Sequence, residues 1–168
     1  MKKLFIAMCL GVMAVSTAFA GEAKVTWQEP DNYTDIRPTN ETKEAFRDRV
    51  FKDLGAVFED MAKQLPDGVL WDITVTDVDL AGDVRPMMRS GMNDIRIVKE
   101  VYWPRMTIQY KMTDASGKVL AEGKEDIKDM NFMMSSIGLS GDSSFQYEER
   151  MLRDWFKKQQ REQKFPSS

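Results

Sequence analysis

Apolar residues recur at steps of three and four between Phe46 and Leu65: Phe46, Val50, Leu54, Val57, Phe58, Met61 and Leu65. That spacing gathers them on one stripe of a helix. It predicts a helix from Asn40 to Leu65, with Asn40 as its cap. Glu41 and Glu44 sit in the first turn, where the helix dipole favours anions. Leu65-Pro66-Asp67-Gly68 ends it. A long helix with one oily face gains its stability by burying that face, so the rest of the chain must supply an apolar layer to receive it.

Strand patterns supply that layer. Arg105 to Thr113 alternates strictly, with Met106, Ile108, Tyr110 and Met112 on one side and Thr107, Gln109, Lys111 and Thr113 on the other. Asp114-Ala115-Ser116-Gly117 reads as a hairpin turn, and Lys118 to Ile127 as the returning partner. Val69 to Leu80 alternates through Trp71, Ile73 and Val75, then slips phase at Asp77 so that Val78 and Leu80 become the apolar set, as at a bulge. Lys24 to Gln28 and Ile95 to Trp103 are further strand candidates, each closed by a proline nearby. Residues 81–94 and 128–143 read as irregular. Ser143-x-x-Gln146 is a candidate capping box for a last helix whose apolar edge is Met151, Leu152, Trp155 and Phe156 and whose end is basic. The order of elements predicts an α+β fold: a mainly antiparallel sheet with the long helix and the C-terminal helix packed against one face. Trp27, Trp71 and Phe58 are expected in the core.

The first 20 residues stand apart from that pattern. Lys2 and Lys3 precede an apolar run from Leu4 to Val15, and Ala18-Phe19-Ala20 follows with small residues at the two positions a signal peptidase reads. The run is too short for a permanent membrane span. We expect cleavage after Ala20, a periplasmic location, and one α+β domain over residues 21–168. No later run approaches membrane length. Lys2 and Lys3 account for two of the 24 basic residues, so 22 remain against 27 acidic ones, a net charge of −5. That balance gives no general attraction to nucleic acid.

The chemistry available is narrow. There is no histidine, and the single cysteine, Cys9, lies in the leader. Ser-His-Asp and Cys-His nucleophilic sites and the usual zinc sites are thereby excluded. Asp77-Val78-Asp79-Leu80-Ala81-Gly82-Asp83 resembles half a calcium loop, but the positions that need an oxygen ligand and a closing glutamate hold Ala81 and Met88. Carboxylates that could serve a hydrolase are Asp77, Asp79, Asp83, Glu122, Glu125 and Asp126. Methionine pairs at Met87-Met88 and Met133-Met134 could bind a soft cation such as Cu(I), or serve as adaptable contact surface. Tyr102-Trp103-Pro104 could line a groove for sugar or peptide. Glu148-Glu149-Arg150 through Arg153-Asp154 offers opposite charges three and four apart and reads as a solvated helix face.

Several stretches taken together resemble a known family: Val25-Thr26-Trp27-Gln28-Glu29-Pro30 with Tyr33-Thr34-Asp35-Ile36, Thr76-Asp77-Val78-Asp79-Leu80-Ala81-Gly82, and Val101-Tyr102-Trp103-Pro104-Arg105. The hairpin Asp114 to Leu120 and the run from Tyr147-Glu148-Glu149-Arg150 to Trp155-Phe156 complete the set. The family is an uncharacterised group of exported proteins of Gram-negative bacteria, defined by a domain of unknown function. The resemblance implies a periplasmic α+β domain and carries no activity or site residues. The methionine pairs are not part of its pattern.

The reading that follows is a small periplasmic domain of the cell envelope that binds a partner without catalysis. The partner is an envelope protein or small ligand, and no cofactor, metal or catalytic residue is assigned. The expected contact residues are Tyr102, Trp103, Met87, Met88, Met133 and Met134. The alternatives are a carboxylate-based hydrolase and a copper-binding protein using the methionine clusters.

Overall fold

The computed structural model describes residues 20–86, 94–134 and 144–167. Residues 1–19 of the expected leader 1–20 lie outside them, as do Met87, Met88 and Ser143. The elements run β1 (Glu22–Trp27), a single 3-10 turn (Pro30–Asn32), α1 (Lys43–Ala62), β2 (Leu70–Asp79), β3 (Asp83–Arg85), β4 (Ile95–Ile97), β5 (Arg105–Thr113), β6 (Val119–Lys128) and α2 (Gln146–Arg161). The main sheet has the order β1-β2-β5-β6, parallel between β1 and β2 and antiparallel elsewhere. β3 and β4 form a separate two-stranded ribbon. The fold is α+β, as the sequence predicts.

The helix stripe meets its layer. Val50, Leu54, Phe58 and Met61 of α1 are fully buried against Trp71, Ile73 and Val75 of β2 and Met106, Ile108 and Met112 of β5. Met151, Leu152, Trp155 and Phe156 of α2 join the same core. α1 starts two residues later than the sequence suggests. Thr42, not Asn40, is the cap, and its side-chain oxygen accepts from the Ala45 N–H at 3.2 Å. The phase slip in β2 is a register shift between Val75 and Asp77 against β5, which turns Val78 inward. At the hairpin, Asp114 accepts from the backbone N–H groups of Ser116 and Lys118, and Gly117 takes a φ of 84°.

Four expectations need correction. The strand expected over Ile95 to Trp103 stops at Ile97, because the chain turns at residues 99–102, where the Tyr102 N–H donates to the Lys99 carbonyl. The 81–94 segment contains a short strand, β3, which β4 pairs antiparallel. The last helix opens later than the expected capping box places it: Ser143 lies outside the described residues, Phe145 is the N-cap, and Gln146 is the first helical residue. Trp27 is only partly buried. It stacks on Phe51 at 4.3 Å and 8° beside the open edge of β1, rather than in the core.

Candidate functional site

β2 ends where three other segments converge. Asp35 forms a parallel bridge with Asp79, its N–H donating to the Val78 carbonyl and its carbonyl accepting from Leu80 N–H. The turn at Ala81-Gly82 then redirects the chain into β3. Gly82 is required there on two counts: its φ is 89°, and a Cβ would stand 2.9 Å from the Ile97 carbonyl oxygen. Its N–H donates to the Tyr102 carbonyl at 2.9 Å, which ties the 99–105 segment to the same place.

Arg96, on β4, holds these pieces together. Its Nη1 donates to Asp35 Oδ2 at 2.9 Å and to the carbonyls of Ala81 and Gly82 at 3.3 and 3.4 Å. Its Nη2 donates to Asp35 Oδ1 at 3.3 Å and to the Arg37 carbonyl at 3.0 Å. Asp35 is buried, and a buried carboxylate needs such a partner.

In front of this hub opens a cleft of about 410 Å³, lined by Thr34, Asp35, Arg37, Asp79, Gly82, Asp83, Arg85, Val101, Tyr102, Trp103 and Arg105. The volume is that of a small-ligand site. Its charges are locked to one another. Arg37 donates from Nε to Asp35 and from Nη2 to Asp83 at 3.2 and 2.9 Å. Arg85 Nε lies 2.6 Å from the other oxygen of Asp83, and its Nη2 donates to the Tyr102 hydroxyl at 2.8 Å. Asp77, just behind, accepts from the Thr34 N–H and hydroxyl at 2.7 and 2.8 Å and from Arg105 at 3.4 Å. Asp79 differs from these. Among the described residues none donates to it, and burial beside Asp35 and Asp77 pushes its carboxyl above the ordinary range, against the pull of Arg105 and Arg96.

Beneath the cleft lies a charge that the helix pattern conceals. Glu148 is 3% exposed, and its carboxylate accepts from the Ala81 N–H at 2.7 Å. The sequence places it on a solvated face; the structure corrects this, because position 148 shares a stripe with Leu152, Trp155, Phe156 and Gln159, all buried. Arg150 also turns inward, donating to the Phe132 carbonyl and to Asp129. Only the Glu149–Arg153 pair, at 3.0 Å, keeps the expected character.

Burial pushes the Glu148 carboxyl up, while the Ala81 N–H, its own N–H and nearby Arg96 oppose the rise. A carboxyl raised on folding is held protonated by the native state where the unfolded chain has released its proton. Its favourable contribution is therefore complete below the unfolded pKa and is lost as pH rises through the folded one. Glu148→Gln retains an acceptor for Ala81 and carries no charge. The Tm difference, variant minus parent, is expected to become more positive between about pH 4 and about pH 8. A difference that does not change with pH refutes this account of Glu148.

The expected contact residues divide. Tyr102 and Trp103 line the cleft, and Trp103 is 38% exposed. Met133 and Met134 are exposed on the turn after β6, whose start is tied to the Trp103 neighbourhood by a bond from Asp129 N–H to the Pro104 carbonyl. They share that end of the sheet but do not line the cleft. Met87 and Met88 lie outside the described residues. Of the candidate carboxylates, Asp79 and Asp83 line the cleft and Asp77 supports it. Asp126, on β6, pairs with Lys128 at 3.6 Å. Glu122 and Glu125 do not reach the cleft. Among the described residues no three carboxylates converge as a metal site requires. Sequence reading missed Arg37, Arg85, Arg96 and Arg105, because a single arginine carries no spacing signal until its carboxylate is known.

The stretches Tyr33-Thr34-Asp35-Ile36, Thr76 to Gly82 and Val101 to Arg105, separate in sequence, meet at this cleft. No curated protein and no solved structure matches the chain. A family model described as a protein of unknown function, DUF3016, matches residues 21–158, and the chain belongs to that family.

Proposed function

We propose that the protein is an exported, non-catalytic binding domain of the cell envelope, and that the cleft in front of Arg96 is where it takes its partner. The observation that carries the reading is Trp103, 38% exposed on the wall of a cleft in which Asp35, Asp83, Arg37 and Arg85 are already ordered by mutual ion pairs. Large rings left accessible at a preorganised polar site are the residues that contribute most to binding. Asp35, Asp77 and Asp83 are each engaged by a guanidinium, which suits fixed hydrogen-bonding groups better than proton-transfer groups. Export rests on the charged, apolar and small-residue order of the first 20 residues.

Trp103→Ala is expected to weaken partner capture by at least about tenfold, with little loss of Tm. A photo-crosslinking residue at Val101, exposed on the cleft wall, used in intact cells with and without that substitution, measures the capture. A large fall in Tm with unchanged capture refutes the reading. Asp79 favours a second reading, a carboxylate-based hydrolase, since it alone among the cleft carboxylates has no described partner, and burial raises its pKa. That reading requires turnover that disappears in Asp79→Asn.

A further inference from the structure

We infer that the cleft is built for an uncharged, polyhydroxylated ligand, a carbohydrate; this rests on the reading of the cleft as the binding site. Its lining brings three guanidiniums, from Arg37, Arg85 and Arg105, together with three carboxylates, from Asp35, Asp79 and Asp83, for a formal charge of zero. A polyanion would face the carboxylates, and a polycation the guanidiniums, at close range and partly out of water. A neutral polar ligand meets neither penalty.

The free hydrogen-bonding capacity is also mixed. Arg37 uses Nε and Nη2 on Asp35 and Asp83, and Arg85 uses Nε and Nη2 on Asp83 and Tyr102. Each leaves its Nη1 without a described acceptor, on side chains 56% and 55% exposed. Asp79 supplies a carboxylate with no described donor. Held donors and an unpaired acceptor lining one cleft suit the hydroxyls of a sugar, because every hydroxyl both donates and accepts. The Asp83 grip holds the two guanidiniums in place before any ligand arrives, which lowers the ordering cost of binding.

The apolar part of the wall completes the match. Trp103 offers an aromatic face, whose negative quadrupole attracts the weakly positive C–H groups of a sugar ring. An extended peptide is a poorer fit, since it is recognised by successive apolar pockets for alternate side chains. The lining here provides one exposed indole and Val101 among charged groups.

The test titrates the mature chain, residues 21–168, with four neutral disaccharides: maltose, cellobiose, lactose and N,N′-diacetylchitobiose. Sialyllactose, trilysine and tetraalanine serve as anionic, cationic and peptide comparators. The readouts are tryptophan fluorescence and amide chemical-shift mapping. At least one neutral disaccharide is expected to bind saturably and shift the amides of Arg37, Gly82, Tyr102 and Trp103. Its affinity should change less than about twofold between about 0.05 and about 0.5 M salt, as befits an uncharged ligand. Trp103→Phe should keep most of that affinity, and Trp103→Ala should lose at least about tenfold.

Binding at these amides by a charged or peptide comparator alone overturns the ligand class and leaves the cleft as the site. Saccharide shifts elsewhere, or shifts unchanged in Trp103→Ala, overturn the cleft itself. Binding by none of the seven overturns the carbohydrate inference. Cleavage of a bound disaccharide upholds the ligand class and replaces the non-catalytic reading with the hydrolase.

Discussion

Arg96→Ala is expected to destabilise the protein by about 3 kcal/mol, near the lower end of the range for breaking a buried ion pair from one side. The cost comes less from the lost attraction than from what stays behind. Asp35 remains buried with, among the described residues, only Arg37 to pair it, and the carbonyls of Ala81, Gly82 and Arg37 lose their shared donor. In a domain of this size the loss corresponds to a fall in Tm of about 6–12 °C. Arg96→Lys should recover little, since a point charge cannot reach both Asp35 oxygens and three carbonyls from one stem. Asp35→Asn in the Arg96→Ala background should restore part of the loss by removing the stranded charge. The cycle of single and double variants, followed by urea unfolding, measures that coupling. If Arg96→Ala unfolds at the parental midpoint, the hub does not hold the cleft together.

The difference between what sequence reveals and what it hides is plain in this hub. The elements that obey a period were readable: β5 matches its expected range, and the stripes of α1 and α2 are buried residue for residue. The β2 slip was readable because it flips which set of alternating residues is apolar. Arg96 and Asp35 lie 61 positions apart, and no period relates them. Glu148 is the instructive intermediate case. Its place on the α2 stripe was legible, but its charge argued for solvent. The deciding fact, the Ala81 N–H waiting for an acceptor, belongs to another part of the chain. Tyr102 and Trp103 were legible as rings beside a proline. The arginines and carboxylates that make a cleft around them were legible only as composition.

Trp71→Ala is expected to be the most damaging single substitution, at about 3–5 kcal/mol. Trp71 is fully buried at the centre of an aromatic cluster, with ring centroids of Phe58, Trp155, Phe156 and Phe165 at 5.7, 6.3, 5.5 and 5.7 Å. It joins β2, α1, α2 and the tail beyond α2, so the cavity left by alanine could close only by moving elements that the sheet holds apart. Phe165 reaches the cluster because Gln163 adopts a left-handed φ of 58° and the N–H groups of Lys164 and Phe165 return to the Gln159 carbonyl. Phe165 lies past residue 158, where the family match ends, and no helical period announces it.

Trp71→Phe separates shape from polarity. The Trp71 indole N–H has no acceptor among the described residues, so phenylalanine removes an unsatisfied donor as well as part of the volume. Its cost is expected to be less than about half that of alanine. Phe165→Ala should cost less than Trp71→Ala, because the tail can follow the vacancy inward. If Trp71→Ala falls by no more than Phe165→Ala in thermal and urea unfolding, the cluster is not organised around Trp71, and the tail rather than the sheet closes the core.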